Sequence, residues 1–315
     1  MPEALKDTVK EQQSVETSAV QPADGKVSKP RSLWSDAWHD LRRNPLFVVS
    51  AILIFFLLTM AVFPGLFTGA DPRHADLAKH YLQKPNWGSF FGEDWFGYDI
   101  QGRSIYARVI YGARASISVA VVVTLMVTVL GTVVGMLAGY FGGWIDTLLS
   151  RVTDIFFGIP FILGAMVVLT SFEERHLWVV ILALAFLGWT QIARVARGSV
   201  ITIKQADYVM AAKALGASTS RILIRHILPN AIAPVIVVAT IALGGYISAE
   251  ATLSFLGIGL AEPTVSWGVD ISSGQEQLRN APYVLIIPSV MVSITVLAFI
   301  MLGDAVRNAL DPKLR

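Results

Sequence analysis

Apolar residues run through this chain in blocks too long for the helices of a soluble core. The first block, "PLFVVSAILIFFLLTMAVFPGLF" at residues 45–67, carries no charge, and about 20 such residues cross a bilayer as a helix. A second uncharged stretch lies between Arg114 and Asp146. It exceeds one straight crossing, so its glycine-rich end "GYFGGW" is expected to turn out of the membrane. Asp154 and Glu173 bracket a third block, and residues 176–191 make a shorter fourth. Residues 227–249 and 281–303 supply a fifth and a sixth. The stretch 251–261, "ATLSFLGIGLA", is apolar but too short to cross alone, and reads as a re-entrant or interfacial piece. The expected fold class is an all-α integral membrane protein with six transmembrane helices.

Six crossings put both termini on one side, and basic residues choose which. Lys and Arg are retained in cytoplasmic segments, largely irrespective of acids. With the N-terminus inside, the inner segments hold Arg42, Arg43, Arg151, Arg194, Arg197, Lys204, Lys213, Arg221, Arg225 and Arg307, besides the basic residues of both ends. The outer segments hold Arg73, Lys79, Lys84, Arg103, Arg108, Arg114, Arg175 and Arg279. The balance favours N-in, C-in, although the 69–113 loop carries many of the outer bases.

Composition agrees with the pattern. Of 315 residues, 54% are hydrophobic and 15% charged, against about 25% charged in an ordinary soluble domain. A net charge of +2 gives no support for nucleic-acid binding. The absence of cysteine removes disulfides, Fe–S clusters and thiol catalysis. Residues 1–30 are polar, have no signal-peptide core, and are expected to form a disordered cytoplasmic tail. Residues 31–44 follow as an amphipathic cytoplasmic lead-in, and 45–315 as the membrane domain. Within that domain 69–113 is expected outside as a loop, 204–230 inside, and 250–280 outside as a re-entrant or gate segment.

The inner segment "YVMAAKALGASTSRILIRHILPN", 208–230, is too charged to cross and contains no acid. Read as a helix, its first half gathers Ala211, Ala212 and Leu215 on one side. Gly216 permits a sharp break, Ser218 or Thr219 caps a second helix, and Ile222, Leu223 and Ile227 form its apolar side. Leu228-Pro229-Asn230 stops that helix and begins the fifth crossing. Small residues allow another surface to approach, and the cations Lys213, Arg221 and Arg225 suit an acidic partner or lipid headgroups.

This segment resembles the EAA loop of ABC-importer permeases, whose pattern is E-A-A, three residues, G, nine residues, I-x-L-P. Ala211, Ala212, Gly216, Leu228 and Pro229 fit, while Met210 stands at the Glu position and His226 at the Ile position. "FGYDIQGRSIYARVIYGARAS", 96–116, is similar to the L-G-T-D-x-x-G-R-D-x-x-S-R-x-x-Y-G-A-R lead-in to span two of dipeptide and oligopeptide permeases. Asp99, Gly102, Arg103, Arg108, Tyr111, Gly112, Ala113 and Arg114 match; Tyr98, Ser104 and Ala107 depart. Residues 140–160, 248–268 and 302–315 also look like that group. The resemblance, covering residues 31–315, is to the C-type subunit of the peptide/nickel importer family. It implies a type I ABC-importer permease fold in a prokaryotic cell membrane, set in membrane lipid. It also implies a heterodimer with a second permease, two cytoplasmic ABC ATPases, and an extracytoplasmic substrate-binding protein. The 208–230 loop would dock into the ATPases, which would bind ATP and Mg; this chain would bind no cofactor. Dipeptides, longer peptides, glutathione and nickel chelates all use permeases of this type.

Some residues stay open to two readings. Glu250, an acid at membrane depth, is a functional candidate or a cap for the short helix after it. That short helix, with Leu253, Phe255 and Leu256, lines or gates the outer mouth, or lies flat as packing. Arg194 or Arg197 pairs with Asp154, or both anchor at headgroup level. Gly131, Gly135 and Gly139 form a small-residue stripe for helix packing, within the subunit or against a paired permease. Trp87, Phe90, Phe91, Trp95 and Phe96 make the outer loop aromatic, for a binding protein or the membrane interface. His74, His80 and His176 lack metal-ligand spacing.

An enzyme reading lacks parts: Gly25-Lys26 has no phosphate-loop spacing, and no H-E-x-x-H occurs. A self-contained secondary transporter, the alternative from another class, would show inverted repeats and buried ionisable pairs. The sequence shows no clear repeat.

Overall fold

In the computed structural model of this chain, which describes residues 38–173 and 176–310, the first spanning helix begins at a side-chain cap. Asn44 accepts a hydrogen bond from the Leu46 backbone N–H at 2.9 Å, starting α1 (Pro45–Val62). The cap satisfies a donor the helix itself leaves open, and Pro45 at the first position has none to satisfy. Leu57 and Met60 are buried while Ile52, Phe55 and Phe56 are exposed, as for a helix apolar on every side that stands in lipid. The expected tail, residues 1–30, and the lead-in as far as residue 37 lie outside the described residues.

After the short helix α2 (Leu77–His80), α3 (Ile105–Phe141) runs 37 residues, about 55 Å at 1.5 Å per residue. Its first nine residues, 105–113, fall in the stretch 69–113 that the sequence assigns to the outer loop. The reason is that its arginines are paired. Arg108 bonds Asp270, and Arg114 caps the end of α1 by donating to the carbonyls of Ala61 and Val62, each at 3.0 Å. A charge with a partner does not end a helix.

The third crossing is broken. α4 (Gly143–Phe157) and α5 (Phe161–Thr170) meet at 82° across Gly158 to Pro160, so they count as a crossing only when taken together. α6 (Leu177–Ile203) runs on past Gln191, again because Arg194 and Arg197 find partners. Arg194 bonds Asp154 at 2.8 Å, and Arg197 grips both oxygens of Asp146 at 2.5 and 2.7 Å. Then come α7 (Asp207–Ala214) and α8 (Thr219–Arg221), a π-helical turn (Ile222–Ile227), and α9 (Leu228–Phe255). From Thr219 to Phe255 this is one continuous rod. Pro229 therefore does not stop a second short helix. The wider turn, in which the Leu228 N–H donates to the Leu223 carbonyl five residues back, absorbs it.

The expected short helix at 253–260 is not formed. Leu253 to Phe255 end α9, residues 256–259 turn, and the short helix of this region is α10 (Trp267–Gly274). α10 is capped by Ser266, whose Oγ accepts from the Val269 N–H at 3.2 Å. α11 (Tyr283–Leu310) closes the bundle. Among the described residues five helices are long and apolar enough to cross, or six with the bent pair, and no strand occurs.

α3 and α6 pack most closely. A Cβ on Gly131 would stand 2.7 Å from Ile192 Cβ, one on Gly135 2.4 Å from the Ala193 carbonyl oxygen, and one on Gly139 2.9 Å from the Arg197 carbonyl oxygen. The glycine stripe thus serves packing within the subunit. Gly135→Leu is expected to destabilise the protein by about 2–3 kcal/mol through overpacking. Gly198→Ala, where a Cβ meets nothing within 4 Å, is expected to be neutral or to stabilise by up to about 1 kcal/mol. Thermal unfolding in detergent checks both.

Candidate functional site

The 204–230 segment forms an elbow at one end of the bundle. α7 ends in a paired backbone cap: the Gly216 N–H donates to Lys213 O at 3.0 Å, and the Ala217 N–H to Ala212 O at 3.1 Å. This cap needs a left-handed residue after the helix, and Gly216 has φ +79°. Val209, Ile222, Ile227 and Ala231 are buried together with Val200 of α6, with Leu223 packed against them. Tyr208 and Asn230 share a 3.1 Å hydrogen bond that ties α7 to the start of α9. The opposite side of the elbow faces out. Met210, Ala211, Lys213, Arg221, Ile224 and Arg225 are exposed, Ala212 is half-buried, and Leu215 is 89% exposed at the tip. Leu228 is half-buried and Pro229 exposed where the rod leaves the elbow. Among the described residues Lys213, Arg221 and Arg225 make no ion pair. An apolar tip flanked by unpaired cations is suited to a groove in another protein.

The lead-in to α3 sits at the other end and builds a clamp. Arg103 Nε donates to Asp99 at 2.7 Å and its terminal nitrogen to Glu262 at 2.7 Å. Arg108 Nε donates to Asp270 at 2.7 Å and its Nη2 bonds the same oxygen. Asp99, Arg103, Arg108 and Asp270 are all buried. Gly102 has φ +72°, and a Cβ there would strike the Asp76 carbonyl oxygen at 2.4 Å. Gly112 leaves room for the fully buried Trp267, whose ring nitrogen donates to Val109 O at 2.9 Å. Tyr111 is half-buried beside Arg114 in a cleft with Gly69. These residues tie the lead-in of α3 to Glu262, Trp267 and Asp270.

Glu250 and Leu253 are fully buried, while Phe255 and Leu256 are exposed. Glu250 accepts from Ser254 Oγ at 3.0 Å and from Ser266 Oγ at 3.3 Å. It therefore lies inside α9, against the capping serine of α10. The four candidate gate residues do not converge on one opening. Sequence reasoning passes over Glu262, Ser266, Trp267 and Asp270. The available signal is a pair of acids flanking a helix-capping serine, Glu262 and Asp270 about Ser266, in an otherwise apolar stretch.

Burial raises the Glu262 carboxyl, but the Arg103 hydrogen bond and the charges of Arg103 and Arg108 outweigh it and hold the group below the usual glutamate range. Burial also works against the Arg103 charge, and Asp99 and Glu262 restore it above its ordinary value. A carboxyl depressed in the folded state stabilises above its unfolded value and ceases to do so as pH falls. Acidification from neutral toward the folded value is expected to raise amide exchange at residues 97–105 and 260–266. Glu262→Gln should show raised exchange at neutral pH and a weaker pH response there, read by hydrogen–deuterium exchange.

Residues 131–315 match the family described as "Binding-protein-dependent transport system inner membrane component", and residues 32–85 match "N-terminal TM domain of oligopeptide transport permease C". The oligopeptide transport system permease protein OppC of Bacillus subtilis is 36% identical over 92% of this chain and 93% of its own length. The dipeptide transport system permease protein DppC of Alkalihalophilus pseudofirmus is 36% identical over 90% and 91%. The glutathione transport system permease protein GsiD of Shigella flexneri is 36% identical over 92% and 94%. A spanning bundle with one outward-facing basic elbow, matched along nearly its whole length, belongs to the family of binding-protein-dependent transport system inner membrane components.

Proposed function

We propose that this chain is a non-catalytic permease subunit of an ATP-driven ABC importer for di- and oligopeptides. It forms half of a translocation pathway with a second permease, in the inner or plasma membrane of a prokaryote, with both termini in the cytoplasm. Two ABC ATPases bind ATP and Mg, and this chain binds no cofactor. An extracytoplasmic binding protein delivers the substrate.

The observation that carries the reading is the elbow. Its inner face is fixed on α6 and α9, and its outer face offers Leu215 with Lys213, Arg221 and Arg225 free of ion pairs among the described residues. A nucleotide-driven closure of the ATPases would push that tip, and the rod from Thr219 to Phe255 would carry the push across the membrane as a rigid-body switch. Two of the relatives named above are peptide permeases by name. A relative named for glutathione at the same identity keeps that substrate as the second reading, while nickel-chelate import rests on the sequence resemblance alone.

Gly216→Val separates coupling from folding. A Cβ there meets nothing within 4 Å, so the change acts on the left-handed backbone, at about 1–2 kcal/mol or more. In the reconstituted complex, ATP hydrolysis is expected to persist while peptide uptake falls roughly tenfold. Undiminished uptake would defeat the docking role. Uptake of glutathione but of no peptide by the unaltered complex would select the second reading.

A further inference from the structure

The bend between α4 and α5 opens a cleft of about 540 Å³ against α6 and α9, within the roughly 300–1,000 Å³ of small-ligand sites. No charged side chain lines it. Phe161 and Tyr246 make an apolar wall, their ring centres 6.0 Å apart. Tyr246 is fixed by donating to the Gly188 carbonyl at 3.2 Å. Gln191, Ser248 and Thr252 add polar groups to this wall. The Gln191 and Ser248 side chains are exposed and make no hydrogen bond among the described residues. Thr252 spends its proton on the Ser248 carbonyl and keeps its oxygen free to accept.

Gln191 stands near the middle of α6 (Leu177–Ile203), about 20 Å along it at 1.5 Å per residue. An unsatisfied carboxamide in hydrocarbon is costly, so this face meets water or a polar ligand and not lipid. The other side of α6 behaves in the opposite way. A cleft of about 620 Å³ there is lined by apolar residues alone, Leu182 and Phe186 among them. The polar groups, Gln191 of α6 and Ser248 and Thr252 of α9, line the first cleft and not the second. Toward the elbow the cleft ends at Phe157, whose ring carries the Arg194 guanidinium at 3.8 Å, itself neutralised by Asp154.

We propose that this cleft is the wall this chain contributes to the translocation pathway, and that it takes a peptide by its main chain. The assignment rests on the peptide-import reading. A carboxamide both donates and accepts, so Gln191 matches a peptide unit, with Ser248 and Thr252 supplying further hydroxyl contacts. Gly245, where a Cβ would meet nothing within 4 Å, leaves the α9 backbone open beside them. Phe161 and Tyr246 offer surface to side chains of any kind. A wall without charge discriminates little between acidic and basic residues, so it passes peptides of varied sequence.

The chain contains no cysteine, so single cysteines report cleanly. Gln191→Cys, Ser248→Cys and, as control, Leu182→Cys are made in the complete complex in proteoliposomes. A charged aqueous methanethiosulfonate is applied during turnover, and modification is read by mass on this subunit. Expected are labelling at 191 and 248, none at 182, and severalfold slower labelling at 191 and 248 when a transported dipeptide is present. Silent positions 191 and 248, as for a face sealed by the sister permease or lipid, overturn the proposal; labelling that the dipeptide leaves unchanged overturns it as well. Gln191→Leu is expected to lower uptake at saturating dipeptide about tenfold, and unchanged uptake counts against the proposal. A wild-type complex that moves no peptide defeats the peptide-import reading itself; one that moves peptide past unlabelled cysteines defeats only the site.

Discussion

Pairing of charge within the chain is the constraint on which the rest of this structure depends. An ionised group near hydrocarbon is tolerated at low cost only with a partner, and Arg108 and Arg114 of α3 and Arg194 and Arg197 of α6 have one. Arg108 has Asp270, Arg194 has Asp154, Arg197 has Asp146, and Arg114 has the carbonyls that α1 leaves open at its end. These pairs let α3 and α6 run well past their apolar blocks. They also join elements far apart in the chain: Arg103 reaches Glu262 across 159 positions, and Arg108 reaches Asp270 across 162.

The pairs fix the two ends of the bundle, and the glycine stripe fixes its middle. With Gly131, Gly135 and Gly139 against the α6 backbone, α3 and α6 move as one body, because any sliding would drive backbone into backbone. The bent α4–α5 pair joins α6 through the part-exposed pairs of Asp146 and Asp154, through Phe156 against Phe186 and Trp189, and through the buried Ala165 and Leu169. Exposed ion pairs are weak and salt-sensitive, so they can exchange partners. The buried clamp at the other end cannot do so cheaply.

Local features of this design are legible in the sequence, and distant ones are not. Uncharged runs locate the spanning blocks, Gly216 marks the break after α7, and the four-residue glycine spacing announces the α3–α6 contact. Each is a property of neighbouring residues. The starts and ends of helices are misplaced wherever an arginine lies inside a helix, because a linear pattern shows the charge and not its partner. α10 goes unnoticed because its apolar content is slight and its Ser266 cap reads as loop. The 251–261 run is taken for a separate helix because its apolarity is visible, while the turn at 256–259 that ends α9 depends on Gly257, with φ +73°. Pro229 reads as a stop, since nothing in the sequence foretells a π turn that accommodates it.

The elbow differs from the paired arginines of α3 and α6. Lys213, Arg221 and Arg225 make no ion pair among the described residues and surround the most exposed apolar residue of the segment, Leu215. Free cations alone would suit headgroups, but an apolar tip at the end of a backbone-capped helix is wasted on water and shallow for lipid. It becomes favourable when a complementary groove buries it. Behind that tip stands the continuous rod of residues 219–255, whose far end holds Glu250 against the cap of α10. A displacement at the elbow would thus reach, along the same helix, the Glu250 contact with the cap of α10. The wide π turn at Ile222–Ile227 lies within the elbow, at the near end of this rod.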